Sequence, residues 1–153
     1  MPEPVFNETL QLGIVVRDLE ATVRRYADDY GIGPWNFAQI DLGEANNYRE
    51  YGQPVERSTR IAVATVGRVM WELIEPLEEE GIYARFLAEK GEGIHHVAVA
   101  TANFDETVAR AERENDVILS GELSGARFAY LATERDLGVI LEVFSGTPDD
   151  EAL

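Results

Sequence analysis

The sequence predicts an α+β fold made of two βαβββ modules whose sheets pair into one cup-shaped mixed sheet. Three observations carry this expectation. Two stretches far apart begin alike, LQLGIVVRDLEATV from Leu10 and HHVAVATANFDETV from His95. Each reads as an apolar strand, an acidic turn and a helix, and three strand-like segments follow each helix. A short amphipathic stretch, GIYARFLAEKG, joins the halves. Paired βαβββ units form α+β layers and can leave a concave side open for a ligand.

In chain order, the first strand runs through QLGIVV. Leu19, Val23, Tyr26, Ala27 and Tyr30 then fall at helical spacing, and Gly31, Gly33 and Pro34 stop the helix. WNFAQIDL, RIAVATVG and VMWELIEP are the three strands that complete module one, residues 8–75. GEANNYREYGQPVERS, between Leu42 and Thr59, lacks periodicity and reads as a long loop or hairpin of the kind that often forms a lid. Residues 76–93 hold the linker helix. Module two, 94–146, repeats the pattern: Phe104, Val108 and Ala111 mark a helix face with Asp105 as a cap or first-turn anion, before DVILSG, ARFAYLAT and GVILEVF. The two modules make one domain, 8–146, and 147–153 reads as a solvated acidic tail.

Charge and composition narrow the chemistry. Of 153 residues, 45% are hydrophobic, enough for a real core. Thirteen Lys plus Arg against twenty-nine Asp plus Glu leave a net charge of −16, which repels polyphosphates and anionic surfaces, so neither nucleic acid nor a membrane is an expected partner. The start of the chain lacks a basic-then-apolar signal and no apolar run approaches about 20 residues, which points to the cytoplasm. With no Cys, any metal site must be built from His, carboxylate and amide groups. GEG at Gly91–Gly93 is too short and misplaced for a phosphate loop, and no organic cofactor is implied.

Strand alternation puts Gln11, Gly13 and Val15 on one face of the first strand, and His96, Ala98 and Ala100 on one face of its repeat, with His95 on the other. The last strand of each module carries a carboxylate in an apolar run: Glu72 in MWELI and Glu142 in VILEVF. Burying either costs several kcal/mol, roughly, unless a cation or donors meet it. Arg60 and Arg127, on neighbouring strands, are the alternative to a metal, and His96 has the alternative of a hydrogen-bonded core histidine.

The stretches QLGIVVRDLEAT, GIGPW, WELIEPLEEEGIYARFLAEKGEGIHHVAVA, ARFAYLATE and LGVILEVF resemble the vicinal-oxygen-chelate superfamily, especially its methylmalonyl-CoA epimerase and glyoxalase-like members, over about Leu10 to Phe144. The resemblance implies one metal ligand from the first and one from the last strand of each module: Gln11, Glu72, His96 and Glu142. Epimerases of that group usually have His at the position of Gln11 and often Gln at that of Glu72; the Gln, Glu, His, Glu set is similar to zinc-type glyoxalase I. One divalent ion, Zn, Ni, Co or Mn, suits such donors and leaves positions for substrate oxygens.

The implied activity is that of an isomerase, epimerase or glyoxalase-type lyase acting through a metal-stabilised enediolate on a small oxygenated carbonyl substrate, with Glu142 as base and Glu72 in reserve. Trp35, Arg60, Arg127 and Tyr130 are the candidate pocket residues, with Tyr48, Tyr51 and Phe128 as further aromatics. An anionic thioester needs Arg49, Arg57, Arg60 or Arg127 to offset the acidic field. A homodimer is expected. The alternative is a non-catalytic binding protein of the bleomycin-resistance type, which sequesters its ligand in the same cup.

Overall fold

A computed structural model describes residues 5–114 and 116–145. Module one comprises β1 (Phe6–Val15), α1 (Leu19–Tyr30), β2 (Asn36–Leu42), β3 (Arg49–Glu50), β4 (Gln53–Pro54), β5 (Arg57–Val66) and β6 (Val69–Pro76). Helix α2 (Ile82–Lys90) leads to module two: β7 (Gly93–Thr101), α3 (Phe104–Arg113), β8 (Val117–Leu123), β9 (Ala126–Leu131), α4 (Glu134–Leu137) and β10 (Ile140–Phe144). The tail, 147–153, lies outside the described residues.

All ten strands belong to one curled mixed sheet in the order β2-β5-β6-β1-β7-β10-β9-β8-β3-β4. The repeat shows in this order: β1 pairs parallel with β6, β7 pairs parallel with β10, and β1 meets β7 antiparallel at the seam between modules. The first and last strands of both modules therefore occupy four adjacent places, the third to the sixth.

Local chemistry sets the helices. Asp18 caps α1 by accepting from Ala21 N at 2.9 Å, and Gly31, at φ 66°, ends it in the left-handed region. In module two the cap is Asn103, which accepts from Glu106 N at 3.1 Å, so Asp105 serves as a first-turn anion. The apolar strand faces pack against these helices: Ile14, Ala62 and Leu73 cluster with Leu19 of α1, and Val99, Leu131, Leu141 and Val143 lie under α3.

The long loop is a strap. After a 3-10 turn at Glu44–Asn46, the β3–β4 hairpin crosses to module two and adds itself to β8, with Arg49 opposite Ser120 and Glu50 opposite Leu119. Tyr48 is its anchor, buried among Leu119, Phe128 and Tyr130. A Cβ on Gly121 would lie 2.8 Å from Phe128 Cζ and 3.2 Å from Tyr48 Cδ2, so the missing side chain makes room for both rings.

Candidate metal centre and its cavity

Strands β1, β6, β7 and β10 bring Gln11, Glu72, His96 and Glu142 to adjoining rows of the sheet. In one row Gln11 pairs with Ala98, which pairs with Glu142, which pairs with Tyr130. In the next, Gly13 pairs with both Glu72 and His96. Each row thus sets a small residue between two polar ones. A Cβ on Gly13 would fall 2.0 Å from His96 Cε1 and 2.3 Å from Nε2, so the imidazole lies over the glycine backbone.

All four side chains are buried, His96 completely. His96 Nε2 lies 3.2 Å from Glu142 Oε2 and 3.8 Å from Glu72 Oε2. Gln11 Nε2 donates to Met70 Sδ at 3.3 Å. Burial pushes the Glu72 carboxyl up to about 7, with Glu142 adding to the effect and His96 opposing it. Tyr130 OH stands 3.3 Å from His96 Nε2 and 2.6 Å from Tyr83 OH, and burial raises both phenols well above their ordinary value, keeping them neutral.

His95 departs from the expected alternation. The register passes from Gly13 opposite His96 to Ile14 opposite Ile94, leaving His95 as the extra residue of a bulge. Its Nδ1 comes within 3.2 Å of His96 Nδ1, and its ring packs edge-on against Tyr83 and Phe86. Burial drives the His95 imidazole down to about 3, with His96 and Lys90 adding, so it is neutral and orients His96.

Gln11, Glu72 and Glu142 line one end of a cavity of about 270 Å³ enclosed by the curl of the sheet and the strap. Tyr130, Tyr48 and Phe128 line it as well. Trp35, Arg60 and Arg127, expected at the wall, are placed elsewhere. Trp35 Nε1 donates to Ile32 O at 2.7 Å and its ring packs edge-on against Tyr26. Arg60 alternates with the cavity-lining Thr59 and Ile61, and its guanidinium pairs with Glu20 and Glu75. Arg127 alternates with Ala126 and Phe128 and pairs at 2.6 Å with Asp105. Neither arginine pairs with Glu72 or Glu142. Tyr83 and Arg57, at the wall, were not among the candidate pocket residues; the helical spacing of Tyr83 and the aperiodic context of Arg57 gave no inward direction.

Among the described residues, no three His, Asp or Glu side chains stand close enough together to hold an ion without moving. The donor chemistry nevertheless fits one. Glu142 Oε2 is buried without a hydrogen-bond partner, an arrangement costing about 1–3 kcal/mol or more unless a cation or donor meets it. One imidazole, two carboxylates and one amide suit a borderline divalent ion.

A family model described as the glyoxalase/bleomycin resistance protein/dioxygenase superfamily matches residues 10–130. Among curated proteins, the uncharacterized protein YqjC of Bacillus subtilis is 26% identical over 92 residues, which span 58% of this chain and 66% of that protein. Among solved structures, a single-residue variant of Streptomyces coelicolor methylmalonyl-CoA epimerase, in complex with 2-nitronate-propionyl-CoA, superposes with a TM-score of 0.66 at 25% identity, covering 91% of this chain and 96% of that one. Methylmalonyl-CoA epimerase from Mycobacterium tuberculosis gives 0.67 at 21%, covering 100% and 97%. With the family match spanning most of the chain and the duplicated βαβββ sheet in place, this protein belongs to the glyoxalase/bleomycin resistance protein/dioxygenase superfamily.

Proposed function

We propose that the protein is a metal-dependent isomerase, epimerase or glyoxalase-type lyase that moves a proton at a carbon beside a carbonyl. The observation that carries this reading is the placing of two carboxylates and an amide, Glu72, Glu142 and Gln11, at the wall of one cavity, with the buried imidazole of His96 3.2 Å from Glu142 Oε2 and 3.8 Å from Glu72 Oε2. The epimerase relatives support the isomerase branch.

Gln11, Glu72, His96 and Glu142 would hold the ion, which supplies Lewis acidity to a carbonyl oxygen and so acidifies the neighbouring C–H. Glu142 takes the proton: it lines the cavity, and its Oε2, which accepts no hydrogen bond, lies 3.2 Å from His96 Nε2. Glu72 is the reserve, a second carboxylate at the cavity wall. Tyr130 steadies His96, and the apolar walls exclude competing water. No helix among the described residues is long and apolar enough to cross a membrane.

The absence of a ready-made three-ligand cluster among the described residues favours a second reading, metal-free sequestration of a small molecule. Metal analysis separates the two. Stoichiometric divalent metal in the purified protein, lost in His96→Ala with the circular dichroism spectrum unchanged, supports the enzyme; no metal after reconstitution supports sequestration. Turnover of carbonyl substrates in deuterated water, with mass spectrometry of substrate and product, then tests the chemistry, and substrate deuterated at the reacting carbon detects internal transfer. Turnover with neither solvent exchange nor a primary isotope effect refutes proton abstraction.

A further inference from the structure

We infer that the cavity takes a neutral, largely apolar molecule bearing its oxygen functions at one end, and not an anionic substrate or an acyl-CoA thioester. The inference deepens the proposed function and rests on its placing of the substrate in this cavity.

The cavity has two unlike ends. Gln11, Glu72 and Glu142 form the polar one, with Tyr130 beside them. The rest of the lining is mostly apolar, with Ile40, Ile61, Ile74, Leu119, Phe128 and Phe144 rewarding apolar surface and only the neutral hydroxyls of Thr59, Ser124, Ser145 and the tyrosines beside the one cation, Arg57. The volume, about 270 Å³, is at the small end of ligand pockets, which run from roughly 300 Å³ upward.

Among the described residues, Arg57 is the one cationic side chain at the lining, and it is already engaged. Glu50, itself buried, receives Nε and Nη2 through its two oxygens at 3.2 Å each. Nη1 donates to Glu56 O at 2.9 Å and lies 3.6 Å from Glu78 Oε2. An incoming carboxylate must displace a tethered, desolvated one from a bidentate pair while approaching a second glutamate.

The other arginines that might have offset the acidic field are committed too. Arg60 and Arg127 are paired outside the cavity, and Arg49 donates to Gly52 O. The surface groove that shares Leu42 and Arg57 with the cavity carries Asp41, Glu44, Glu56 and Glu78. Four carboxylates against one compensated guanidinium repel a polyphosphate leaving the cavity by that route.

The test compares a matched pair of vicinal-oxygen probes, neutral 1-phenyl-1,2-propanedione and anionic phenylglyoxylate, with propionyl-CoA as a third. Each is titrated into the full chain, as isolated and after chelation, by calorimetry with NMR shifts reporting the site. We expect the dione to bind at least tenfold more tightly than phenylglyoxylate, and propionyl-CoA no more tightly than phenylglyoxylate. Glu50→Gln, which releases Arg57, should narrow the preference at least threefold. Leu42→Lys, which adds a cation where the cavity meets the acidic groove and disturbs no buried ion pair, should narrow it in the same direction if Glu50→Gln fails to fold. Equal or tighter binding of either anionic probe to the wild type overturns the inference, as does failure of the dione to shift cavity resonances. Because binding is read without turnover, either failure leaves the metal and deuterium measurements to decide the reaction independently.

Discussion

The contact between Gly13 and His96 gives the sharpest prediction. Gly13 sits in a strand without a positive φ, so Gly13→Ala introduces no backbone strain, and by restricting the unfolded chain it would ordinarily stabilise by about 0.4–1 kcal/mol. Against this, the added Cβ would lie 2.0, 2.3 and 2.5 Å from His96 Cε1, Nε2 and Nδ1, where ordinary contact needs about 3.5–4.0 Å. The ring must move by more than an ångström, yet it is fully buried, with Tyr130 at a centroid distance of 4.5 Å and His95 on its Nδ1. Overpacking of this kind costs about 1–3 kcal/mol, so the clash wins. Urea denaturation in chelator should show a net loss of that size, and metal titration a loss of affinity of tenfold or more as Nε2 is displaced. In a His96→Ala background the clash is gone, and Gly13→Ala should become neutral or stabilising. The same destabilisation in both backgrounds would refute the argument.

Two further predictions concern the other donors. Gln11→His should keep metal binding and Gln11→Leu should weaken it by an order of magnitude or more; equal affinity in all three proteins, measured by competition with a chromophoric chelator, removes Gln11 from the site. Glu72 makes the metal-free protein pH-sensitive: its carboxyl is raised from 4.5 to about 7, so the folded state binds the extra proton in that interval. The associated stability is fully present below about pH 4.5 and is lost as pH rises through about 7, a change on the order of 3 kcal/mol. Glu72→Gln should abolish this term. His95, lowered to about 3, acts with the opposite sign as pH falls below 6.5, but it is common to both proteins and cancels in the comparison. Parallel stability profiles for the two from pH 5 to 8 would contradict the assignment.

The repeat at Leu10 and His95 made the sheet legible, because period-two apolar patterns and helix stops are local signals that the fold leaves intact. The strand faces of Gln11, Glu72, His96 and Glu142 followed from the same alternation, whereas their grouping on neighbouring strands was implied by the family resemblance. Where alternation was broken, it misled: the bulge that turns His95 toward His96 arises from pairing with β1, a partner some eighty residues earlier. Arg60 and Arg127 were readable in principle, since each alternates with apolar neighbours, Ile61 and Phe128, that line the cavity. The strap was not, because its pairing with β8 rests on four residues and a tyrosine plug, too little to mark a sequence.

The seam order also governs how the protein is made. β1 leaves the ribosome first, yet its hydrogen-bonding partners are β6 and β7, with Gln11 opposite Met70 on one side and Ala98 on the other. The strand must wait, unpaired and apolar, until more than half the chain has been synthesised, a long interval for an aggregation-prone edge. Module one can close once β6 emerges, but Glu142 comes on β10, the last of the described strands, so the candidate four-donor centre cannot be assembled before that strand is made. A nascent chain released before residue 140 could present Gln11, Glu72 and His96 but not the fourth donor. Competence for metal would then report, in a single measurement, that translation has reached the end of the domain and that both halves have docked.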